Sequence, residues 1–65
     1  MKWTDILDIA IELDDKFPDT EILSLRFTEL HQMICELDDF NDEPENSNEK
    51  ILEAIQMAWL DERDN

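Results

Sequence analysis

Carboxylates are the side chains whose number and spacing offer chemistry in this sequence. Four of them near the N-terminus are Asp5, Asp8, Glu12 and Asp15. Their spacing of three or four residues places them on one side of a helix, at about 100° per residue. Neighbours in such a stripe repel by about 0.2–0.5 kcal/mol per pair, and Lys16 offsets this only at one end. The stripe is either a solvated face that aids solubility or a docking surface for a positively charged partner.

A second concentration of carboxylates lies between residues 38 and 45. Its members are Asp38, Asp39, Asp42, Glu43 and Glu45. Hard divalent cations take oxygen ligands, so this segment predicts weak, exchangeable binding of such an ion. It lacks the glycine and the terminal glutamate of an EF-hand loop. A hydrated acidic loop without a metal is the alternative.

His31 and Cys35 are the other residue types with reactive side chains. They are four residues apart on a predicted helix, but two ligands are too few for a structural zinc site. A cysteine nucleophile needs an activating base and a positive environment, and this chain is strongly negative. We therefore expect both residues to flank the core, and we expect no enzymatic activity.

The excess of negative charge restricts what the protein can bind. Its 65 residues carry 19 Asp and Glu against 5 Lys and Arg, which gives a formal net charge of −14. This charge repels phosphate backbones and anionic lipid surfaces. We therefore expect basic proteins or cations as partners, and neither nucleic acid nor membrane. Repulsion between copies favours a monomer.

The length and the absent residue types exclude further classes of protein. A chain of 65 residues supports one small domain, residues 1–65, without a deep cleft. The sequence contains no Gly, which excludes glycine-rich phosphate loops. A single Cys excludes an internal disulfide. Together with an N-terminus that lacks a signal-peptide pattern, it predicts a reducing, cytoplasmic location.

Apolar residues at three- and four-residue spacing predict three helices. The first runs to about Lys16 and stops at Pro18, the second spans 29–38, and the third spans 48–62. Residues 24–27 are extended, enough for one very short strand at most. The predicted N-caps are Thr4, Thr28, and Asn46 or Ser47. The fold class is therefore mainly α, a small three-helix domain.

The same periodicity predicts the core. Its inward stripes are Ile6, Ile9, Ala10, Leu13 and Phe17, then Phe27, Leu30, Ile34 and Leu37, then Ile51, Leu52, Ile55, Ala58 and Trp59. Trp3 and Trp59 are expected to join the first and third helices, and Phe40 to hold the acidic loop on the core. Met57 and Leu60 fall off the third stripe, so they either meet the N-terminal segment or are exposed for a partner.

Short motifs along almost the whole chain resemble one known family. The motifs are Trp3-Thr4-Asp5, Phe17-Pro18-Asp19, Arg26-Phe27-Thr28, Leu30-His31-Gln32 with Ile34-Cys35, Asp39-Phe40 with Pro44, residues 47–55 (SNEKILEAI), and Trp59-Leu60-Asp61-Glu62. In this order they resemble the IscX family, small acidic bacterial proteins of iron–sulphur cluster assembly. The sequence departs from the family at Met33, where a tryptophan is usual.

The resemblance implies a winged-helix-like fold with reduced wings that does not bind DNA. It implies binding to the cysteine desulfurase of the assembly machinery, which presents a basic surface. It also implies weak binding of Fe²⁺, and competition with a frataxin-like protein and ferredoxin for overlapping sites. The predicted function is a non-catalytic adaptor that regulates the desulfurase. An iron carrier that hands Fe²⁺ to a scaffold, or an acidic mimic of nucleic acid, are the alternatives.

The resemblance and the helix face together assign the candidate site residues. The partner-binding residues are Asp5, Asp8, Asp15, Glu29, Asp38 and Asp39, with Glu12 added from the helix face alone. The metal-binding residues are Asp38, Asp39, Asp42 and Glu43, with Asp61 and Glu62 in second rank.

Overall fold

The part of the chain that the structure describes forms three α-helices. A computed structural model describes residues 1–64 and contains α1 (Ile6–Lys16), α2 (Phe27–Cys35) and α3 (Glu49–Asp64). Each connection includes one short 3₁₀ turn, at Ile22–Ser24 and at Pro44–Asn46. The prediction of a mainly helical three-helix domain is confirmed.

The short strand allowed at residues 24–27 does not form. The backbone is extended at Leu25 and Arg26, with ψ of 137° and 153°, but the described part of the chain has no other strand to pair with it. Residues 1–64 therefore contain no β-structure. None of the helices in this range is long and apolar enough to cross a bilayer.

The starts of α1 and α2 differ from the predicted caps. Asp5, not Thr4, precedes α1, and its Oδ2 accepts a hydrogen bond from the N–H of Lys2 at 2.9 Å. This bond closes the turn in front of the helix. Before α2, the Glu29 carboxylate reaches back to accept from the N–H of Arg26 at 3.1 Å. The helix therefore begins at Phe27, ahead of the predicted cap Thr28.

The end of α2 and the start of α3 also differ from the predicted boundaries, and local hydrogen bonds explain both differences. α2 ends at Cys35 rather than near Asp38, because the N–H of Leu37 bonds to the carbonyl of Ile34 at 3.1 Å and closes a tighter turn. At α3, Asn48 is the N-cap, since its Oδ1 accepts from the N–H of Ile51 at 2.9 Å. The predicted cap Asn46 instead donates its amide to Asp42.

One apolar core joins all three helices, as the stripes predicted. The fully or almost fully buried residues are Trp3, Ile9, Ala10, Leu13, Ile22, Leu30, Ile34, Leu37, Leu52, Ile55 and Trp59. Burial of each large side chain contributes about 1.5–3 kcal/mol to folding. The helix pair α1 and α3 makes the most extensive contact. Leu60 and Met33 pack against this core, so the departure at Met33 is a change in packing, while Met57 is exposed.

Arg63 joins the C-terminal ends of α1 and α3. Its Nε donates to Asp14 Oδ1 at 3.1 Å, an oxygen that also accepts from Trp59 Nε1 at 3.3 Å. The other guanidinium nitrogens donate to the carbonyls of Thr20 and, at 2.7 Å, Phe17. The guanidinium also lies 5.4 Å from the centre of the Trp59 ring. The Phe17 and Thr20 carbonyls lie in the turn that follows α1, so these bonds fasten that turn to α3. The ion pair is the only one within residues 1–64.

We expect Arg63→Ala to lower the free energy of unfolding by about 1.5–3 kcal/mol, because partly buried acceptors lose a charged donor. Lys50→Ala is the matched control. It removes the same charge from an exposed position of α3 and should change stability by less than about 0.5 kcal/mol. Urea unfolding followed by tryptophan fluorescence measures both. Equal effects in the two variants would contradict a specific role for Arg63.

Candidate functional site

The outer face of α1 carries the predicted acidic stripe. Asp8, Glu12 and Asp15 are exposed there, opposite the buried Ile9 and Leu13. Asp5 is half-buried and is committed to the turn before the helix. The stripe is therefore a set of three free carboxylates, with Asp5 at its edge.

Two open grooves run beside this stripe, and other parts of the chain complete them. The first is lined by Met1, Asp8, Ile11, Glu12 and Asp39. The second is lined by Ile11, Glu12, Asp14, Asp15, Pro18 and Glu62. Asp39 comes from the loop before α3 and Glu62 from the last turn of α3. The carboxylates that surround both grooves, which we call the acidic face, are Asp8, Glu12, Asp15, Asp39 and Glu62.

The electrostatic character of the acidic face follows from what lines it. Neither groove is lined by a Lys or Arg side chain from residues 1–64. Asp14, at the edge of the second groove, is neutralised by Arg63. Concave surfaces lined by one sign of charge focus the electrostatic potential. The arrangement attracts a cation or a positively charged protein surface.

Apolar side chains on the same helix face were missed by the sequence reasoning. Leu7 and Ile11 are exposed to 59% and 45%, and Ile11 lines both grooves. They are four residues apart, so they lie one above the other on α1. The same 100° projection that identified the acidic stripe would have located them, because they fall between that stripe and the buried residues.

The other predicted site residues do not join the acidic face. Glu29 is on α2, with its carboxylate bound to the N–H of Arg26. Asp38, Glu43 and Asp61 are exposed and line neither groove. Within residues 1–64, no three His, Cys, Asp or Glu side chains are arranged to hold one metal ion. The assignment of metal ligands stays a prediction.

Asp42 is a structural residue of the acidic loop. Its carboxylate accepts three hydrogen bonds, from the N–H of Trp3 at 3.2 Å, from the N–H of Glu43 at 2.7 Å and from the Asn46 amide at 3.0 Å. The Asn46 bond, then those of the two backbone N–H groups, lower the pKa of Asp42. The Trp3 indole also donates to the carbonyl of Glu43 at 2.7 Å. Asp42 thus fastens the loop to the N-terminal segment.

Aromatic contacts support the same junction. The rings of Trp3 and Phe40 meet edge to face, with centroids 4.7 Å apart. The prediction that Phe40 holds the loop on the core is therefore confirmed. The N–H of Asn41 also donates to the carbonyl of Met1 at 3.0 Å. This junction places Asp39 beside α1.

His31 and Cys35 flank the core, as predicted. His31 stacks on Trp3 at 5.1 Å and donates from Nε2 to the carbonyl of Pro44 at 2.8 Å. Its Nδ1 is then the acceptor in the neutral ring, and the Cys35 sulfur lies 3.9 Å away from it. Burial, and then the charge of Glu36, raise the pKa of the Cys35 thiol. The thiol therefore stays protonated at neutral pH, which suits neither a nucleophile nor a metal ligand.

We expect Asp42→Ala to lower the thermal unfolding midpoint at pH 7, whereas Asp38→Ala, an exposed neighbour, leaves it nearly unchanged. Because the pKa of Asp42 is lowered by folding, its contribution is complete above the unfolded pKa of about 4. It is lost as the pH falls through the lower folded value. The difference between wild type and Asp42→Ala should therefore shrink below about pH 4. A pH-independent difference in the midpoints would contradict this account.

Comparison with known proteins assigns the chain to a family. A family model described as iron–sulphur cluster assembly matches residues 1–64. An uncharacterised protein of Pseudomonas aeruginosa is 48% identical over 64 residues, which cover 98% of this chain and 97% of the relative. The family match includes all three helices and the acidic loop. The chain therefore belongs to the iron–sulphur cluster assembly family known as IscX.

Proposed function

We propose that this protein is a non-catalytic adaptor that docks its acidic face on the cysteine desulfurase of iron–sulphur cluster assembly and regulates that enzyme. One observation carries the proposal: α1, the acidic loop and α3 together place five carboxylates around two adjoining grooves. Membership of an iron–sulphur cluster assembly family supports a role in that process. The basic surface of the desulfurase is the complementary partner that the family resemblance implies.

The charge of the acidic face accounts for how such docking would work. Complementary potentials speed the encounter of two proteins, and salt weakens this attraction. A frataxin-like protein or ferredoxin that uses the same basic patch would compete for it. The net charge of −14 disfavours nucleic acid and self-association, which fits a monomeric protein adaptor.

Two features of the site support a non-catalytic role. The grooves beside α1 are lined by carboxylates and apolar groups, without a base and nucleophile within hydrogen-bond reach of each other. Elsewhere, the Cys35 thiol has a raised pKa and is held beside His31 at the core. Regulation would therefore act by occupying the desulfurase surface.

Weak, exchangeable binding of Fe²⁺ forms the second part of the proposal. Asp42 already accepts three hydrogen bonds, which leaves Asp38, Asp39 and Glu43 as the free carboxylates of the predicted loop site. Glu62 is the predicted metal residue of α3 that lies in the acidic face. Iron held at Asp39 or Glu62 would lower the negative charge of the docking surface. An iron carrier needs to bind the ion tightly. Because the free carboxylates are scattered, they favour the regulatory role over the carrier role.

We expect the triple variant Asp8→Lys, Glu12→Lys, Asp15→Lys to bind the desulfurase about tenfold or more weakly at low salt, because attraction becomes repulsion. Its affinity should also depend less on salt than that of the wild type. The matched control reverses three exposed carboxylates outside the acidic face, Glu21→Lys, Glu45→Lys and Glu53→Lys. Calorimetric titration at two salt concentrations measures both. An equal loss of affinity in the two variants would contradict docking through the acidic face.

We expect Fe²⁺, added anaerobically, to change the affinity of the wild type for the desulfurase. In the double variant Asp39→Asn, Glu62→Gln the ratio of dissociation constants with and without iron should approach one, because the face loses its iron-responsive carboxylates. Glu21→Gln, Glu53→Gln is the matched control and should keep the wild-type ratio. An affinity that is independent of iron would contradict iron regulation and leave the adaptor role standing.

A further inference from the structure

We infer that Leu7 and Ile11 form an apolar anchor at the centre of the docking surface, and that they enter an apolar depression of a basic protein partner. The inference rests on the proposed function, since it concerns the same face of α1. It adds a contact that charge does not supply. The expected partner surface is an apolar pocket surrounded by Lys and Arg side chains.

The position of Ile11 carries the inference. Its side chain is 45% exposed. Ile11 and Glu12 are the two residues that line both grooves. Leu7, one helical turn before it, is 59% exposed. Ile11 shares these grooves with carboxylates of the acidic face, with Asp8 and Asp39 at the first groove and Glu62 at the second, while Leu7 lies outside both grooves. Side chains left in water forgo the favourable free energy that burial of their apolar area would give.

Other exposed apolar residues lack these surroundings. Leu23, in the first 3₁₀ turn, is 73% exposed, and Met57, on α3, is 54% exposed. Neither lies on α1 within a helical turn of Ile11, as Leu7 does, and neither lines a groove described for residues 1–64. An apolar centre within a polar rim is the usual composition of a protein interface, and its centre provides most of the binding energy.

Charge decides which occupant fits. A second copy of this chain would bring two acidic faces together, and like charges across an interface oppose association. An anionic lipid surface and a nucleic acid are repelled for the same reason. A basic protein surface is favoured at the rim and can also cover the apolar centre.

The two kinds of contact have different kinetic effects. Rim charges act mainly on the association rate and are screened by salt. Burial of an apolar centre acts mainly on the dissociation rate and remains when salt is raised. The complex should therefore retain a salt-resistant part of its affinity, which Leu7 and Ile11 supply.

The test compares Leu7→Ala, Ile11→Ala with the matched control Leu23→Ala, Met57→Ala in binding to the desulfurase by biolayer interferometry. We expect the α1 variant to dissociate about tenfold faster, with a salt dependence of affinity like that of the wild type. The control should bind like the wild type. Ile11→Gln, which keeps a good helix former at the position, should also dissociate faster. Circular dichroism verifies that each variant is folded.

The outcomes separate the inference from the proposed function. Wild-type dissociation of the Leu7 and Ile11 variants, together with weak binding of the Asp8, Glu12 and Asp15 variant, would overturn the anchor and leave the adaptor role intact. Equal acceleration in the Leu23 and Met57 control would also overturn the anchor. Absence of any binding by the wild type would overturn both.

Discussion

The contact of Arg63 with the end of α1 is the interaction on which the candidate site depends. In a chain with 19 acidic and 5 basic residues, this guanidinium neutralises Asp14 and occupies the carbonyls of Phe17 and Thr20. It thereby holds the last turn of α3 against α1 and brings Glu62 to the second groove. Without the Arg63 contact, repulsion among carboxylates would weaken the packing of α1 against α3.

At the opposite end of α1, the junction of the N-terminal segment with the acidic loop likewise positions residues of the candidate site. Asp42 receives three donors, and Trp3 lies between Phe40 and His31. The loop is therefore positioned by buried aromatic contacts and by backbone bonds. Its free carboxylates need not stabilise the fold, so Asp39 remains available at the first groove. Asp42 is therefore a structural residue, whereas Asp39 is left for the proposed docking surface.

The acidic face places exposed carboxylates beside two exposed apolar side chains of α1. Exposed apolar side chains such as Leu7 and Ile11 promote aggregation when they belong to a larger apolar patch. In the proposed function, the carboxylates near this pair would repel a second copy and leave the apolar side chains to a basic partner. In the proposed complex, the carboxylates of α1 that repel one another within the domain would also determine which protein can cover Leu7 and Ile11.

The sequence by itself determined the three helices, the apolar stripes, the acidic stripe of α1 and the family resemblance, because these depend on periodicity and on motifs along the chain. The cap of α3 was predicted wrongly as Asn46 or Ser47, since several adjacent polar residues can accept from a helix N-terminus and only the bonds of Asn46 to Asp42 and of Asn48 to Ile51 show which of them does. The tertiary structure alone decided that Asp42 is structural and that Asp39 and Glu62 meet α1. Those relations join residues far apart in the chain, and their pairing depends on packing and hydrogen-bond geometry that one-dimensional spacing does not contain.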